Sequence, residues 1–119
     1  MKSSEFRDLI VWQKTMDLSV EVYVLVKYLP KYETYGLADQ IRRAVVSIPS
    51  NIAEGQGRMS SKEFIRFLSM ARGSLWELST QIELCERLNY FEKSQTSSIH
   101  ALITEVAKML NALSNAISD

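Results

Sequence analysis

The chain has 119 residues, enough for one hydrophobic core and too few for two, so residues 1–119 read as a single domain. Its composition is 46% hydrophobic and 24% charged, which excludes a disordered tail, and no apolar run approaches the ~20 residues of a membrane span. Fourteen basic residues balance fourteen acidic ones, so the chain as a whole is not an electrostatic nucleic-acid binder.

Cysteine, the N-terminus and the charge distribution narrow the class further. Cys85 is the only cysteine, which rules out an intramolecular disulfide and a cysteine-based zinc site. The opening MKSSEFRDLIVW carries Glu5 and Asp8 and has no signal-peptide pattern, so the expected location is the cytoplasm, with no membrane partner. Charge is uneven along the chain: residues 40–72 hold six basic and two acidic residues, whereas residues 74–119 hold three and six.

Helical periodicity recurs in four segments, and no stretch sustains a period of two. The spacing predicts helices near 9–28, 36–55, 61–89 and 93–117. The first carries two apolar seams, Leu18-Val22-Leu25-Leu29 and Trp12-Met16-Val20-Tyr23. Only Lys14, Asp17 and Glu21 suit water, whereas a helix of a small bundle normally buries one stripe and solvates the rest. The surplus face is therefore a candidate subunit interface, and Trp12, Met16, Val20 and Tyr23 are named for it. Which seam faces outward is left open by the periodicity.

The second helix repeats Leu37, Ile41, Val45, Ile48 and Ile52, and the pattern continues through Pro49. That proline removes one backbone bond and crowds the Val45 carbonyl, which predicts a kink eased by Ser47, Ser50 and Asn51. Arg43, Ser47, Asn51 and Glu54 fall on one polar line. Antiparallel packing against the third helix would set Arg43 opposite Glu77 and Glu54 opposite Arg66. Arg43, Asn51, Glu54 and Glu77 are accordingly expected to be interhelical polar ties. The following EGQGRMSSK lacks the elements of a phosphate loop and reads as a corner, with glycine as a left-handed C-cap.

Ser60 and Glu63 form a capping box that starts the third helix. Its seam is Phe64, Leu68, Ala71, Leu75, Leu78, Ile82 and Cys85, and Asn89 marks its stop. The fourth helix carries Ile99, Ile103, Val106, Leu110, Leu113 and Ile117. Short connections make sequential helices antiparallel neighbours, so the expected fold is an all-α, up-down-up-down four-helix bundle.

No catalytic constellation can be assembled from these residues. His100 is the only histidine and reads as an exposed surface group off the helix-four seam. Glu83 and Glu86 lie beside Arg87 and read as a solvated face. Catalytic residues, cofactors, metal ligands and a small-molecule substrate are all expected to be absent. For nucleic acid, Arg42, Arg58, Lys62, Arg66 and Arg72 are the candidate contacts, although Lys62 and Arg66 share a helix face that Arg72 does not.

Three blocks, FRDLIVWQKTMDL, YGLADQIRRAVVSIPSNIAEGQGR and EFIRFLSMARGSLWELSTQIEL, together resemble the bacterial four-helix-bundle proteins associated with intervening sequences in 23S rRNA genes. The likeness covers nearly the whole chain and is most specific at SIPSNIAEG. It implies a four-helix fold and a ring-shaped homo-oligomer, a pentamer, in a family with no settled activity. The chain is also similar to the accessory variability determinants of diversity-generating retroelements, which are basic pentamers that bind nucleic acid and a reverse transcriptase. Unlike those relatives it is neutral overall. The reading is a non-enzymatic oligomeric scaffold that contacts RNA, DNA or a nucleoprotein; the alternative is a protein-interaction ring without nucleic acid.

Overall fold

A computed structural model describes residues 5–118. Helices α1 (Ile10–Val26), α2 (Leu37–Gln56), α3 (Ser61–Arg87) and α4 (Lys93–Ser118) account for most of them, with short 3-10 turns at Phe6–Asp8 and Lys31–Glu33. Helix α1 packs on α2 and α4, and α3 packs on the same two, so α1 and α3 lie diagonally across a four-helix bundle 47 Å long. The expected all-α bundle is the fold, and each boundary falls within two residues of its expected place.

Each helix ends for a local reason. Past Val26 the chain tightens into i→i+3 bonds, Tyr28 N–H to Leu25 O at 3.0 Å and Leu29 N–H to Val26 O at 3.1 Å. Pro30 follows, and the residue before a proline is driven out of helical geometry. At the start of α3 the Ser60 hydroxyl accepts the Glu63 N–H at 3.1 Å. The reciprocal half of the capping box does not form, because the Glu63 carboxylate turns to Arg66 instead, at 3.0 Å. Helix α3 stops at Asn89 as expected: its φ of 64° lets Tyr90 N–H reach the Cys85 carbonyl at 2.9 Å and Asn89 N–H reach Glu86 O at 3.0 Å. Those two bonds close a Schellman cap.

The core joins the inner seams of all four helices. Leu18, Val22, Ile41, Val45, Ile48, Ile52, Leu75, Leu78, Ile82 and Val106 are wholly buried. Leu113 and Ile117, expected on the α4 seam, are only partly covered.

Helix α2 runs unbroken through Pro49, which is itself buried. Proline has no N–H to give the Val45 carbonyl four residues back. Ser19 of α1 faces that carbonyl, its hydroxyl 3.4 Å away and also 2.8 Å from the Thr15 carbonyl. Within α2, Ser47 donates to Ala44 O at 2.9 Å, Ser50 to Val46 O at 2.8 Å and Asn51 to Ser47 O at 2.8 Å. The backbone around the proline is thus supplied with side-chain donors, one of them from a different helix.

The corner glycines act differently from expectation. No glycine adopts a left-handed φ among the described residues, and Gly57 sits at −80°. The glycine that matters is Gly55, buried inside the last turn of α2. A Cβ there would stand 2.6 Å from Phe67 Cβ and 3.1 Å from Phe64 Cδ1, so its missing side chain is what lets α2 and α3 converge.

A connection at the far end is also tied. Glu33 accepts the Leu37 N–H at 3.1 Å, capping α2, and the Tyr90 hydroxyl at 2.9 Å, which links the α1–α2 turn to the α3–α4 turn. The Tyr32 hydroxyl, and then the Glu33 carboxylate, push the Tyr90 phenol above its usual range.

The two helical glycines give opposite expectations. Gly73 lies in α3, and a Cβ added there would meet nothing within 4 Å, so Gly73→Ala should raise the unfolding free energy by about 0.5–1 kcal/mol through helix propensity alone. Gly55→Ala should instead lower it by about 1–3 kcal/mol, overpacking outweighing the same propensity gain. Urea unfolding of the two variants checks both signs.

Candidate subunit and nucleic-acid interfaces

The two seams of α1 separate cleanly. Leu18, Val22, Leu25 and Leu29 point inward, whereas Met16 is 41%, Val20 64% and Tyr23 42% exposed. Trp12 differs from its three companions: it is partly buried against the core and meets Phe6 edge-on at a centroid distance of 5.2 Å. Val24, and Tyr28 just past the end of α1, extend the exposed apolar face.

This face continues onto α2. Trp12, Met16 and Ser19 line a hollow of about 360 Å³ together with Val46, Pro49 and Ala53. The α2 contribution does not emerge from the Ile41–Ile52 seam, which describes only the inner face of that helix. Val46, Pro49 and Ala53 recur at helical spacing just beside it, and that spacing is the signal the sequence carries for the outer face. A second exposed apolar set lies on the diagonal helix, where Met70, Trp76 and Leu84 of α3 and Leu88 at its C-cap are each about half exposed.

The expected polar ties between α2 and α3 do not form. Arg43 pairs with Asp39 one turn back, at 3.1 Å, and its side chain is largely in water. Glu54 pairs with Arg58 at 2.7 Å, Glu77 accepts from Gln81 at 3.4 Å, and Asn51 bonds the Ser47 carbonyl. All four residues bond within their own helix or its immediate extension. An i,i+4 partner is reached with less loss of side-chain freedom than one on a neighbouring helix, so it wins at the surface. Cross-helix polar contacts occur elsewhere: Lys14 with Glu105 at 3.5 Å, Ser98 with Glu21 at 2.9 Å and Arg72 with Asn111 at 2.5 Å.

The five candidate nucleic-acid contacts are dispersed. Arg58 and Arg66 come together around one ring, each guanidinium carbon 4.8 Å from the centroid of buried Phe67. Lys62 lies between them in sequence, on the exposed first turn of α3. Both arginines are already engaged by carboxylates, Arg58 by Glu54 and Arg66 by Glu63. The hydrogen bond from Arg66 outweighs desolvation of Glu63 and holds that carboxyl below its usual range. Arg72 turns toward α4, and Arg42 sits near the other end of α2, bonded to the Thr34 carbonyl at 3.3 Å.

His100 is not the free surface group that the sequence suggested. Its Nε2 lies 2.9 Å from Glu86 Oε2, which also accepts the Thr96 hydroxyl at 2.5 Å. Glu86 is correspondingly not part of a solvated acidic face, although Glu83 does pair with exposed Arg87 at 2.8 Å. Burial pushes the Glu86 carboxyl up, but the Thr96 and His100 hydrogen bonds outweigh it and the net displacement is downward. Cys85 is fully buried, and desolvation pushes its thiol up to about 11, so it packs as a small apolar residue. Among the described residues no helix is long and apolar enough to cross a membrane. No group of three or more His, Cys, Asp or Glu side chains among them could hold a metal ion.

This fold agrees with what the chain is similar to. Residues 7–112 match the family described as 23S rRNA-intervening sequence protein, and the chain belongs to that family. A crystal structure of a protein of unknown function from the S23 ribosomal protein family of Bacteroides thetaiotaomicron VPI-5482 superposes with a TM-score of 0.82 at 29% identity. The match covers 88% of this chain and 98% of that one. Comparison with curated proteins finds no match.

Glu86 generates a pH expectation. Its folded pKa lies below the ordinary 4.5, so its contribution is complete above about pH 4.5 and disappears as pH falls through the lowered folded value. Glu86→Gln should cost about 1 kcal/mol at neutral pH and flatten the acid limb of the stability curve. Denaturant midpoints measured through the acid range would show no difference in slope if Glu86 were an ordinary solvated carboxylate.

Proposed function

We propose that this chain works as a non-enzymatic, homo-oligomeric helical scaffold, a pentameric ring by resemblance, that contacts nucleic acid or a nucleoprotein partner. The observation that carries the assembly is the exposed Met16-Val20-Tyr23 face of α1, continued by Val46 of α2. Contiguous apolar surface of this kind on a soluble protein marks a contact. A ring of more than two subunits needs two different, complementary patches on each copy. The outer faces of α1 and α3 lie on diagonal helices and offer two such patches. Zero net charge keeps repulsion between copies small.

A non-catalytic role is supported by the state of the two most reactive side chains. Cys85 is buried with a raised pKa, and His100 is occupied by Glu86. A second reading, a ring that works through protein contacts alone, is favoured by the carboxylates that already hold Arg58 and Arg66.

Analytical ultracentrifugation tests the scaffold. Wild-type protein should sediment as an oligomer at micromolar concentration, and Val20→Glu should dissociate it while leaving the helical signal intact. Val20 is 64% exposed, so its replacement should change monomer stability by only about 0.5 kcal/mol. Sedimentation of the wild type as a 13.6 kDa monomer would refute the ring. RNA and DNA binding at two salt concentrations separates the first reading from the second.

A further inference from the structure

Where the chain leaves α1 it gathers three cations on one cavity of about 300 Å³. Lys27 and Lys31 come from the α1–α2 connection, and Arg42 from the second turn of α2. Val26, Leu29, Pro30 and Ala38 supply apolar walls, with Tyr23 among the lining residues. Arg42 and Arg58 are separated by 16 positions along or just beyond α2, roughly 24 Å of helix rise, so this cluster is distinct from the α2–α3 corner.

The charges on this cavity are not answered by the chain itself. Its lining contains no carboxylate. The acidic residues nearest in sequence are engaged elsewhere, Glu33 by the Leu37 N–H and the Tyr90 hydroxyl, and Asp39 by Arg43. Arg42 is partly buried, and its 3.3 Å bond to the Thr34 carbonyl takes one of its five N–H donors. Lys27, Lys31 and Arg42 line one cavity with apolar walls, and like charges held on one cavity repel one another, a cost that a seated anion reverses. The volume lies at the lower end of ordinary small-ligand sites, about 300–1,000 Å³, and is larger than a bare oxyanion needs. Guanidinium and ammonium groups on one cavity suit phosphate, and an apolar wall suits a flat ring attached to it.

We propose that this cavity binds one nucleotide unit, its phosphate held by Lys27, Lys31 and Arg42 and its base lying on the apolar wall of Val26, Leu29, Pro30 and Ala38. The inference rests on the nucleic-acid reading above and sharpens it, moving the contact from the α2–α3 corner to the α1–α2 connection. Arg42 is a candidate from the sequence; Lys27 and Lys31 join it only through the fold. The nucleotide can be free or part of a strand, because the phosphate chemistry is shared.

The test uses the full chain, a Lys27→Gln/Lys31→Gln/Arg42→Gln variant and a Lys93→Gln/Lys108→Gln control on α4. Fluorescently labelled short single-stranded RNA is titrated at about 50 and 200 mM salt, with AMP, inorganic phosphate and unlabelled RNA as competitors. Wild type and control should bind alike, and the triple variant should bind at least tenfold more weakly. Loss of the one seated phosphate should make its log–log salt slope shallower by about 0.7. Displacement by AMP would identify a free-nucleotide site, and displacement by unlabelled RNA alone a strand site; either supports the cavity. RNA binding that survives the triple change, or is lost instead in Arg58→Gln/Lys62→Gln, overturns the cavity and leaves the nucleic-acid reading standing. No binding of any probe by wild type overturns both, and sedimentation of the same samples still decides the ring. If the triple variant dissociates the oligomer and phosphate competes with nothing, the cations meet a neighbouring copy's carboxylate and the proposal is wrong. Should the triple variant lose helicity, the exposed pair Lys27→Gln/Lys31→Gln carries the test, with an expected loss of about fivefold.

Discussion

The close approach of α2 and α3 at Gly55 governs the rest of this bundle. With only a hydrogen at that position, the Phe67 side chain lies directly against the last turn of α2. Phe67 is thereby buried, and its ring becomes the surface on which Arg58 and Arg66 settle. The same approach fixes where α3 begins its long antiparallel return, and hence which residues of α3 face α4 and which face water. Met70, Trp76, Leu84 and Leu88 are left outside as a consequence.

Helix α2 carries a second constraint, because its proline would otherwise leave the buried Val45 carbonyl short of a donor. Ser19 approaches that carbonyl from α1. The contact accompanies the burial of Leu18 and Val22 on the same helix, whose other side then presents Met16, Val20 and Tyr23 outward. The position of α1 against the proline segment and its surplus apolar face are thus two aspects of one packing arrangement. A hollow lined by Pro49 itself lies on the outer surface of this helix pair.

Electrostatics distinguish the two ends of the molecule. At the α2–α3 corner Arg58 and Arg66 each find a carboxylate within their own turn of chain, so much of the basic character of residues 40–72 is neutralised locally. At the α1–α2 connection the carboxylates are drawn away, Glu33 to the cap of α2 and Asp39 to Arg43. Unanswered positive charge therefore collects partly outside the most basic window of the sequence, at Lys27 and Lys31. Net charge along a window does not report which charges are already paired.

Periodicity and caps made the helices legible without coordinates. The 4-3 spacing from Leu68 to Cys85 is set by the backbone repeat of 3.6 residues, and Ser60 and Asn89 act through bonds to their nearest neighbours. The apolar surplus on α1 was visible for the same reason, as two seams on one helix. What only the tertiary structure decided were matters of choice between partners. Arg43 took Asp39 over Glu77, Glu86 took His100 and Thr96, and Gly55 served a close helix crossing rather than a left-handed cap. Local rules act over one turn of chain and can be read in order. The choice among distant partners depends on helix rotation and separation, which packing of the whole core sets.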